Sequence, residues 1–432
     1  MQLMERFRDI YARLKEDSSG QVRKVTGNFL YLSVLNGLNN LLPLITLPYI
    51  LRTVGKANYG IYSYVYMIVQ YVIILSTYGF NFSATRQISQ CRDEREKVNS
   101  IYNSVIGAKV LIAIVLSVLL LIFSSLVFKD EYASLMFLLG LGMVAGDIFT
   151  PIWLFQGMEK MKYLTIVNAS SKILFTILVF IVIKDSDDYV LLILLNSVGY
   201  ILAGLLSLYL ASRQFGMRLR IAPVKDILFQ LKDGSAVFGS TFGMYLYRNA
   251  NIIILKQLVP NEVVGLYSAA EKVIKGFQSL ISPLAQALFP NLSLRFKGAS
   301  DSQNISLLKK ITLPFAVMVL FVSVIVFLAA PWISDILCGV EFRECIPLIR
   351  IMTLVILFGE INYMIGLVGL VNMNRSSLFF RSVIITGVFS VVFILIFAER
   401  YGAYAAATSM SLSEFLLTLL CLASILRIRR ES

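Results

Sequence analysis

Residues 311–334 read ITLPFAVMVLFVSVIVFLAAPWIS, a run without a charged side chain. A helix of about 20 apolar residues crosses the roughly 30 Å hydrocarbon core of a bilayer and satisfies its backbone hydrogen bonds internally. Working outward from this run, we expect twelve spanning helices, at residues 25–51, 58–82, 100–128, 132–156, 163–183, 189–212, 234–255, 263–292, 311–334, 345–372, 376–398 and 401–426. A β-barrel would instead show alternating segments of about 10 residues. The sequence therefore predicts an all-α membrane protein.

The composition of the chain excludes several classes of protein. Of its 432 residues, 57% are hydrophobic and 15% are charged, whereas soluble proteins carry about 25% charged residues. It contains no histidine, which excludes a Ser-His-Asp triad and makes zinc chemistry improbable. Its four cysteines form no CxxC pair, and the GxxxxGK[ST] motif of a transport ATPase is absent. We therefore expect no metal and no organic cofactor.

The net charge of +13 is explained by where the basic residues lie. If the amino terminus is cytoplasmic, the segments on its side carry more than three times as many Lys and Arg residues as the loops on the other side. Cytoplasmic loops of membrane proteins show such an excess. The sequence thus predicts a multi-pass protein with both termini in the cytoplasm, and it requires no nucleic acid as a partner.

A short pattern occurs twice in the chain. The residues 51–54 and 60–63 read LRTV and GIYS, while residues 255–258 and 265–268 read LKQL and GLYS. We expect two six-helix lobes related as a parallel repeat, the layout of a secondary transporter with its site between the halves, although channels also have repeated halves. The predicted parts are a cytoplasmic amino-terminal segment, an N-lobe, a cytoplasmic linker, a C-lobe and a cytoplasmic tail, at residues 1–24, 25–212, 213–233, 234–426 and 427–432.

Four stretches resemble a known family in the same order along nearly the whole chain. They are PYILR at 48–52 followed by YGIY at 59–62, WLFQGMEKM at 153–161, GLYSAAEK at 265–272 leading to FPNLS at 289–293, and YGAYAAA at 401–407 with Glu414. Together they resemble Wzx-type polysaccharide flippases of the MOP superfamily. The resemblance implies a MOP-type transporter fold. Because twelve spans and not fourteen are visible, a lipid groove made by extra terminal helices is not expected.

The resemblance also implies a function. It implies movement of an oligosaccharide repeat unit on an undecaprenyl diphosphate carrier from the cytoplasmic to the periplasmic leaflet of the bacterial inner membrane. The chain would then be a transporter in O-antigen, capsule or related polysaccharide biosynthesis and not an enzyme. Its partners would be the lipid-linked oligosaccharide and membrane lipids, with a polysaccharide polymerase and a chain-length regulator as candidates. An ion-coupled drug or metabolite antiporter of the same superfamily and a membrane oligosaccharide polymerase or ligase remain as alternatives.

Charged residues inside the spans are the candidate site residues, because each costs about 2.5–3.5 kcal/mol unless it faces a cavity or a partner. The basic ones are Lys109, Lys172, Arg248, Lys272, Lys275 and Arg350, and the acidic ones are Asp147, Glu271, Glu360 and Glu414. The basic residues outnumber the acidic ones, and phosphate oxygens are natural partners of Lys and Arg. We therefore expect a cationic central cavity.

Arg248 is the first candidate for substrate binding. It lies about 21 Å from the start of its span at 1.5 Å per residue, on a helical stripe with Tyr245. We expect both to contact the diphosphate or the sugar. The alternative for Arg248 is an interhelical ion pair with Asp147 or Glu360.

Three further basic residues are substrate candidates. Lys272 and Lys275 project together from the eighth span, although Glu271 stands at the i and i+4 spacing that allows it to neutralise Lys275. Arg52, at the outer end of the first span, is expected to meet either the diphosphate or a lipid headgroup.

Polar and aromatic faces complete the predicted site. Asn36 and Asn39 share a polar face of the first span with a proline and a threonine, which suits either sugar binding or helix packing. Tyr59, Tyr62 and Tyr66 share another face. We interpret these rings as an interfacial belt, with stacking on sugars as the alternative.

Transport without an ATP motif requires another source of energy, and intramembrane carboxylates can exchange a proton or bind Na⁺. We expect H⁺ or Na⁺ coupling through Glu360, Glu414 or Asp147. Glu360 is the preferred residue, because Glu414 suits a packing role in the last helix.

Overall fold

The computed structural model describes residues 21–296 and 300–431, and all the regular structure in these ranges is helical. The helices are α1 (Gln21–Thr77), α2 (Phe80–Gln90), α3 (Arg95–Ile122), α4 (Ser124–Val127), α5 (Ala133–Ile148), α6 (Ile152–Gly157), α7 (Met161–Val182), α8 (Tyr189–Phe215), α9 (Val224–Leu258), α10 (Asn261–Phe296), α11 (Asp301–Leu337), α12 (Cys345–Asn362), α13 (Ser376–Tyr401) and α14 (Ala403–Glu431). Short 3₁₀ turns and one π-helix, Tyr363–Val371, lie between them.

A kink at Gly55 divides α1 into two helical segments. Gly55 has φ 76° and ψ 174°, and no atom lies within 4 Å of the place where its side chain would be. Glycine is needed here for this backbone conformation and not for close packing. The predicted spans at 25–51 and 58–82 therefore follow one another on a single bent element.

Proline and a π-helix modify two other predicted spans. The span expected at 132–156 is broken before α6, where Pro151 has no N–H to continue the ladder. The span expected at 345–372 begins as α12 and ends as the π-helix. Within the predicted linker at 213–233, α8 ends at Phe215 and α9 begins at Val224.

Packing divides the described helices into two halves. In the first half, α1 packs on α5 and α7, and α8 packs on α5 and α7. In the second half, α14 packs on α12 and α13, while α12 also packs on α10 and α11. The most extensive contact of all joins α1 to α10 across the two halves. A site between the halves therefore lies beside these two helices.

The two ends of the bundle carry different contacts. At one end, which we call the linker end, Arg86 of α2 contacts Asp233 of α9 at 2.8 Å. At the other, which we call the Gly55 end, Asn58 donates to the carbonyl of Ser186 at 2.9 Å. The two halves thus meet at the linker end through surface charges.

Nine described segments are long and apolar enough to cross a membrane, which makes the chain a multi-pass membrane protein. The two predicted spans at 234–255 and 263–292 lie on α9 and α10, which are not among these nine. The all-α membrane fold is confirmed, while the count of twelve spans stays a prediction.

Candidate functional site

A cavity of about 280 Å³ lies between the two halves. Its wall comes from α1, α7 and α8 of the first half and from α9 and α10 of the second. The polar side chains that line it are Thr46, Tyr59, Tyr62, Ser63, Tyr66, Gln70, Lys172, Thr176, Asn196, Tyr245, Asn249, Ser268, Glu271, Lys272 and Lys275. We call this space the lysine cavity.

Two lysines face the lysine cavity from opposite halves. Lys172 on α7 and Lys272 on α10 each lie eleven residues after the first residue of their helix, or about 16 Å at 1.5 Å per residue. Both side chains line this cavity, and two like charges that face one cavity repel each other. Among the residues whose side chains the structure describes, no carboxylate forms an ion pair with either of them. Two partly buried lysines therefore face the same cavity.

The third lysine of the cavity is already paired. Lys275 Nζ lies 3.0 Å from Glu271 Oε1 and donates to Asn249 Oδ1 at 3.0 Å. The i and i+4 spacing predicted this ion pair, and the structure contains it. Lys275 is consequently less available to a ligand than Lys272, although both line the cavity.

A ladder of tyrosine rings forms one wall of the lysine cavity. The centroids of Tyr59 and Tyr62 are 5.8 Å apart, and those of Tyr62 and Tyr66 are 5.7 Å apart. Asn196 fixes the middle ring by donating to the Tyr62 hydroxyl at 3.2 Å. The preferred interpretation of these rings as an interfacial belt was wrong, because α7 to α10 enclose the α1 face that carries them. Their rings line the lysine cavity.

The other predicted substrate residues differ in where they lie relative to the lysine cavity. Tyr245 lines the lysine cavity, whereas the side chains of Asn36, Asn39 and Arg248 lie outside the described residues, so their roles stay predictions. Arg52 is absent from the described lining and lies at the Gly55 end, where its guanidinium donates to the carbonyls of Asp335 and Ile336 at 3.3 and 3.0 Å. These carbonyls end α11, so Arg52 stabilises a helix terminus.

Asp147 forms an ion pair inside the first half. Its carboxylate accepts from Lys109 Nζ at 2.8 Å, and the two side chains are 16% and 4% exposed. The same ammonium also donates to the Asp147 carbonyl at 2.8 Å. This ion pair joins α3 to α5, and Lys109 is the partner of the Asp147 carboxylate. Removing either charge would leave the other buried.

The remaining two predicted ion-coupling residues both lie in the second half, each in its own group of hydrogen bonds. Glu360 on α12 accepts from Ser282 Oγ at 2.6 Å, and Glu414 on α14 accepts from Asn362 Nδ2 at 2.7 Å. Asn362 in turn accepts from Thr418 Oγ1 at 2.7 Å. Both carboxylates are buried. We call these five residues the carboxylate cluster.

Sequence reasoning counted Lys172 among the intramembrane charges but did not select it for the site. Depth within the span was the available signal, since Lys172 lies ten residues before the end of α7 and Lys272 eleven residues after the start of α10, and both of these helix ends lie at the Gly55 end. The pairing of spans that brings α7 opposite α10 was not visible in the sequence.

The chain is similar in sequence to proteins of polysaccharide biosynthesis. The profile of the family described as "Polysaccharide biosynthesis protein" matches residues 25–296. An Escherichia coli (strain K12) protein named "Putative O-antigen transporter" is 28% identical over 400 residues, which cover 91% of this chain and 95% of the relative. A Shigella dysenteriae protein of the same name is 26% identical over 399 residues, which cover 92% of this chain and 99% of the relative. Both are named as transporters and not as enzymes, as the sequence predicted.

Two solved transporter structures share the fold of this chain. The lipid II flippase MurJ in an inward closed conformation has a TM-score of 0.72 at 15% identity, covering 92% of this chain and 86% of that one. An inward-facing multidrug resistance transporter of the MATE family has a TM-score of 0.70 at 13% identity, covering 90% and 96%. At these identities the likeness concerns the fold. The MOP-type transporter fold is confirmed.

Proposed function

The chain belongs to the polysaccharide biosynthesis protein family, and we propose that it is a flippase for lipid-linked oligosaccharides. It moves repeat units attached to undecaprenyl diphosphate from the cytoplasmic to the periplasmic leaflet of the bacterial inner membrane. The observation that carries this proposal is the pair of lysines, Lys172 and Lys272, which face one cavity from opposite halves and form no ion pair within the described residues.

The chemistry of the lysine cavity fits the two parts of such a headgroup. A diphosphate offers several anionic oxygens, and charge-assisted hydrogen bonds from ammonium groups are stronger than neutral ones. The tyrosine ladder beside the lysines provides aromatic faces and hydroxyls for the sugar. A cavity for cationic drugs would need an acidic wall, whereas the described wall holds three lysines and one glutamate. The cavity composition therefore favours an anionic headgroup.

We place this cavity in an alternating-access cycle, in which the two halves rock about the α1–α10 contact. The Gly55 end is closed by direct contact between α1 and α10, where Gly60 faces Asn261 and Gly265 faces Lys56. Opening this end would expose the lysine cavity to the periplasm. Substrate lysines contributed by both halves would then be drawn together or apart as the halves move.

Reconstitution of the purified chain tests the proposed function. In vesicles with a fluorescent undecaprenyl-diphosphate oligosaccharide, we expect the label to become accessible to a membrane-impermeant quencher on the opposite leaflet. Empty vesicles, and vesicles with a phospholipid labelled in the same way, are the controls. Movement of a cationic dye across the membrane with no movement of the lipid-linked sugar would support the antiporter and contradict our proposal.

We propose that the carboxylate cluster couples transport to an H⁺ or Na⁺ gradient. Carboxylate, amide and hydroxyl oxygens are ligands for hard cations, and buried carboxylates also take up protons. Glu360→Gln keeps the shape of the side chain but removes its charge. We expect this variant to lose most of the stimulation that an imposed ion gradient gives to wild-type flipping in the reconstituted vesicles.

Glu262→Gln is the matched control for Glu360→Gln, because Glu262 is an exposed residue at the start of α10. It should respond to both gradients as wild type does. If wild-type flipping ignores both gradients, or if the Glu360 variant responds to them fully, the carboxylate cluster is not the coupling site. Either result would leave the proposed substrate unchanged.

The direction of transport depends on the orientation of the chain, and the excess of Lys and Arg on one side predicts it. With both termini in the cytoplasm, the turn at 184–188 faces the periplasm. Alkaline phosphatase fused after Asp187 should be active, whereas a fusion after Ser432 should be inactive. The opposite pattern would reverse the predicted orientation.

A further inference from the structure

A second cavity, of about 430 Å³, lies beside the lysine cavity. It is lined by Tyr64, Ile68, Tyr71, Val72 and Leu75 of α1, Leu116 and Leu120 of α3, Leu126 and Val127 of α4, and Ile253 and Gln257 of α9. We call it the apolar cavity. Both halves contribute to its wall, and α4 and the last turn of α9 place one end of it at the Gly55 end of the bundle.

The wall of the apolar cavity presents few hydrogen-bonding groups to water. Its three polar side chains are already engaged: Tyr64 donates to the Val127 carbonyl at 2.7 Å, Gln257 donates to the Tyr64 hydroxyl at 2.9 Å, and Tyr71 donates to the Tyr245 carbonyl at 3.4 Å. Cavities lined by Leu, Ile and Phe stay dry and accept hydrocarbon. The apolar cavity is consequently suited to an alkyl or isoprenoid chain.

The two cavities share the seam between α1 and α9. Along α1, Met67, Gln70 and Ile74 face the lysine cavity, while Ile68, Tyr71 and Leu75 face the apolar cavity. Along α9, Ile252 lines the first and Ile253 the second. The hydrogen bond from Tyr71 to the Tyr245 carbonyl, 3.4 Å long, crosses the seam between them. A charged space and an apolar space thus lie on the two sides of α1 and α9.

We propose that the apolar cavity binds the isoprenoid chain of the lipid-linked substrate while its diphosphate occupies the lysine cavity. This inference rests on the proposed function. An amphiphile with an anionic head and a long hydrocarbon chain needs an adjoining pair of sites of this kind. A phospholipid has a zwitterionic or singly charged phosphate, which gains less from two lysines than a diphosphate gains. The seam between α1 and α9 is then where the chain leaves the headgroup site.

Photo-crosslinking distinguishes the isoprenoid chain from ordinary lipid. A benzophenone amino acid replaces Leu120, which lines the apolar cavity, or Leu119, the matched control, which is 45% exposed on the outside of α3. The protein is purified in detergent with undecaprenyl diphosphate and an excess of phosphatidylethanolamine. Mass spectrometry should find undecaprenyl adducts at position 120 and phospholipid adducts at position 119. Phospholipid adducts alone at both positions would overturn the inference.

Filling the apolar cavity provides the second measurement. Leu120→Trp adds bulk inside the cavity, whereas Leu119→Trp adds the same bulk on the lipid-facing side. We expect the affinity for undecaprenyl diphosphate to fall about tenfold, equal to 1.4 kcal/mol, in the first variant and to stay at the wild-type value in the second.

The two hypotheses fail in different ways. If wild type flips the lipid-linked sugar but Leu120→Trp binds undecaprenyl diphosphate as tightly as wild type does, the isoprenoid chain binds elsewhere and the flippase proposal stands. If wild type binds no undecaprenyl diphosphate and flips no lipid-linked sugar, the proposed function itself is wrong.

Discussion

Gly60→Ala is expected to hold the two halves apart at the Gly55 end and to abolish flipping. A methyl group on Gly60 would overlap the carbonyl oxygen of Asn261, and one on Gly265 would overlap the carbonyl oxygen of Lys56. The obstacle in both cases is backbone, which has no rotamer with which to move away. The two helices must therefore separate by the thickness of a methyl group, and the state closed at this end is lost.

Flipping in reconstituted vesicles and access to the lysine cavity both report this effect. A cysteine introduced at Ser63, a buried lining residue, should react with a membrane-impermeant maleimide much faster in the Gly60→Ala background than in wild type. Gly107→Ala is the control, because the atom nearest to its new methyl group is the mobile tip of the Ile227 side chain. Normal flipping by Gly60→Ala, with the slow labelling of wild type, would show that this contact does not have to form.

Two ion pairs lie near the contact of Gly60 with Asn261, but they limit the approach of α1 and α10 less than that contact does. Lys56 and Glu344 are 3.2 Å apart at 23% and 66% exposure, and a pair this exposed contributes about 0–1 kcal/mol. Lys256 and Asp130, 2.8 Å apart, are more buried, so breaking that pair would cost more. These bonds can exchange with water when the halves separate, whereas the backbone contact at Gly60 sets how closely α1 and α10 approach.

Hydropathy predicted the helices because a spanning helix must be apolar whatever it packs against. Periodicity likewise predicted the Glu271–Lys275 ion pair, since residues four apart on a helix always meet. It could not predict that Lys109 pairs with Asp147, 38 residues away on another helix. Intramembrane charge identifies candidates, but which helix lies opposite depends on tertiary packing.

The tyrosines of α1 illustrate the same limit. Their spacing predicted one shared face, and Tyr59, Tyr62 and Tyr66 do form one. Whether that face meets lipid or a cavity depends on where α7 to α10 lie, which a single sequence does not specify. The kink at Gly55 was also not predicted. Two apolar spans with a glycine between them have the same sequence pattern whether one helix bends at the glycine or ends there.

Removing both charges of the lysine pair is expected to reduce the affinity for undecaprenyl diphosphate by at least roughly 100-fold. A hydrogen bond to a charged group contributes about 1.5–3 kcal/mol, so each lysine is expected to account for roughly 10- to 100-fold in affinity. The two losses will not simply add, because Lys172 and Lys272 are like charges that face one cavity and repel each other when no anion is bound. A double-mutant cycle with Lys172→Met and Lys272→Met measures this coupling.

The same repulsion predicts an opposite effect on stability. Each single variant removes one of two like charges from a partly buried site, so without substrate both should melt at a higher temperature than wild type. Lys309→Met is the control, because Lys309 is exposed near the start of α11, and it should change neither affinity nor melting temperature. If the lysines had a purely structural role, their removal would lower the melting temperature of the variants. If they form a binding site for an anion, they repel each other while it is empty, and their removal raises the melting temperature. If the variants melt lower and still bind undecaprenyl diphosphate as wild type does, the diphosphate is not bound by this pair.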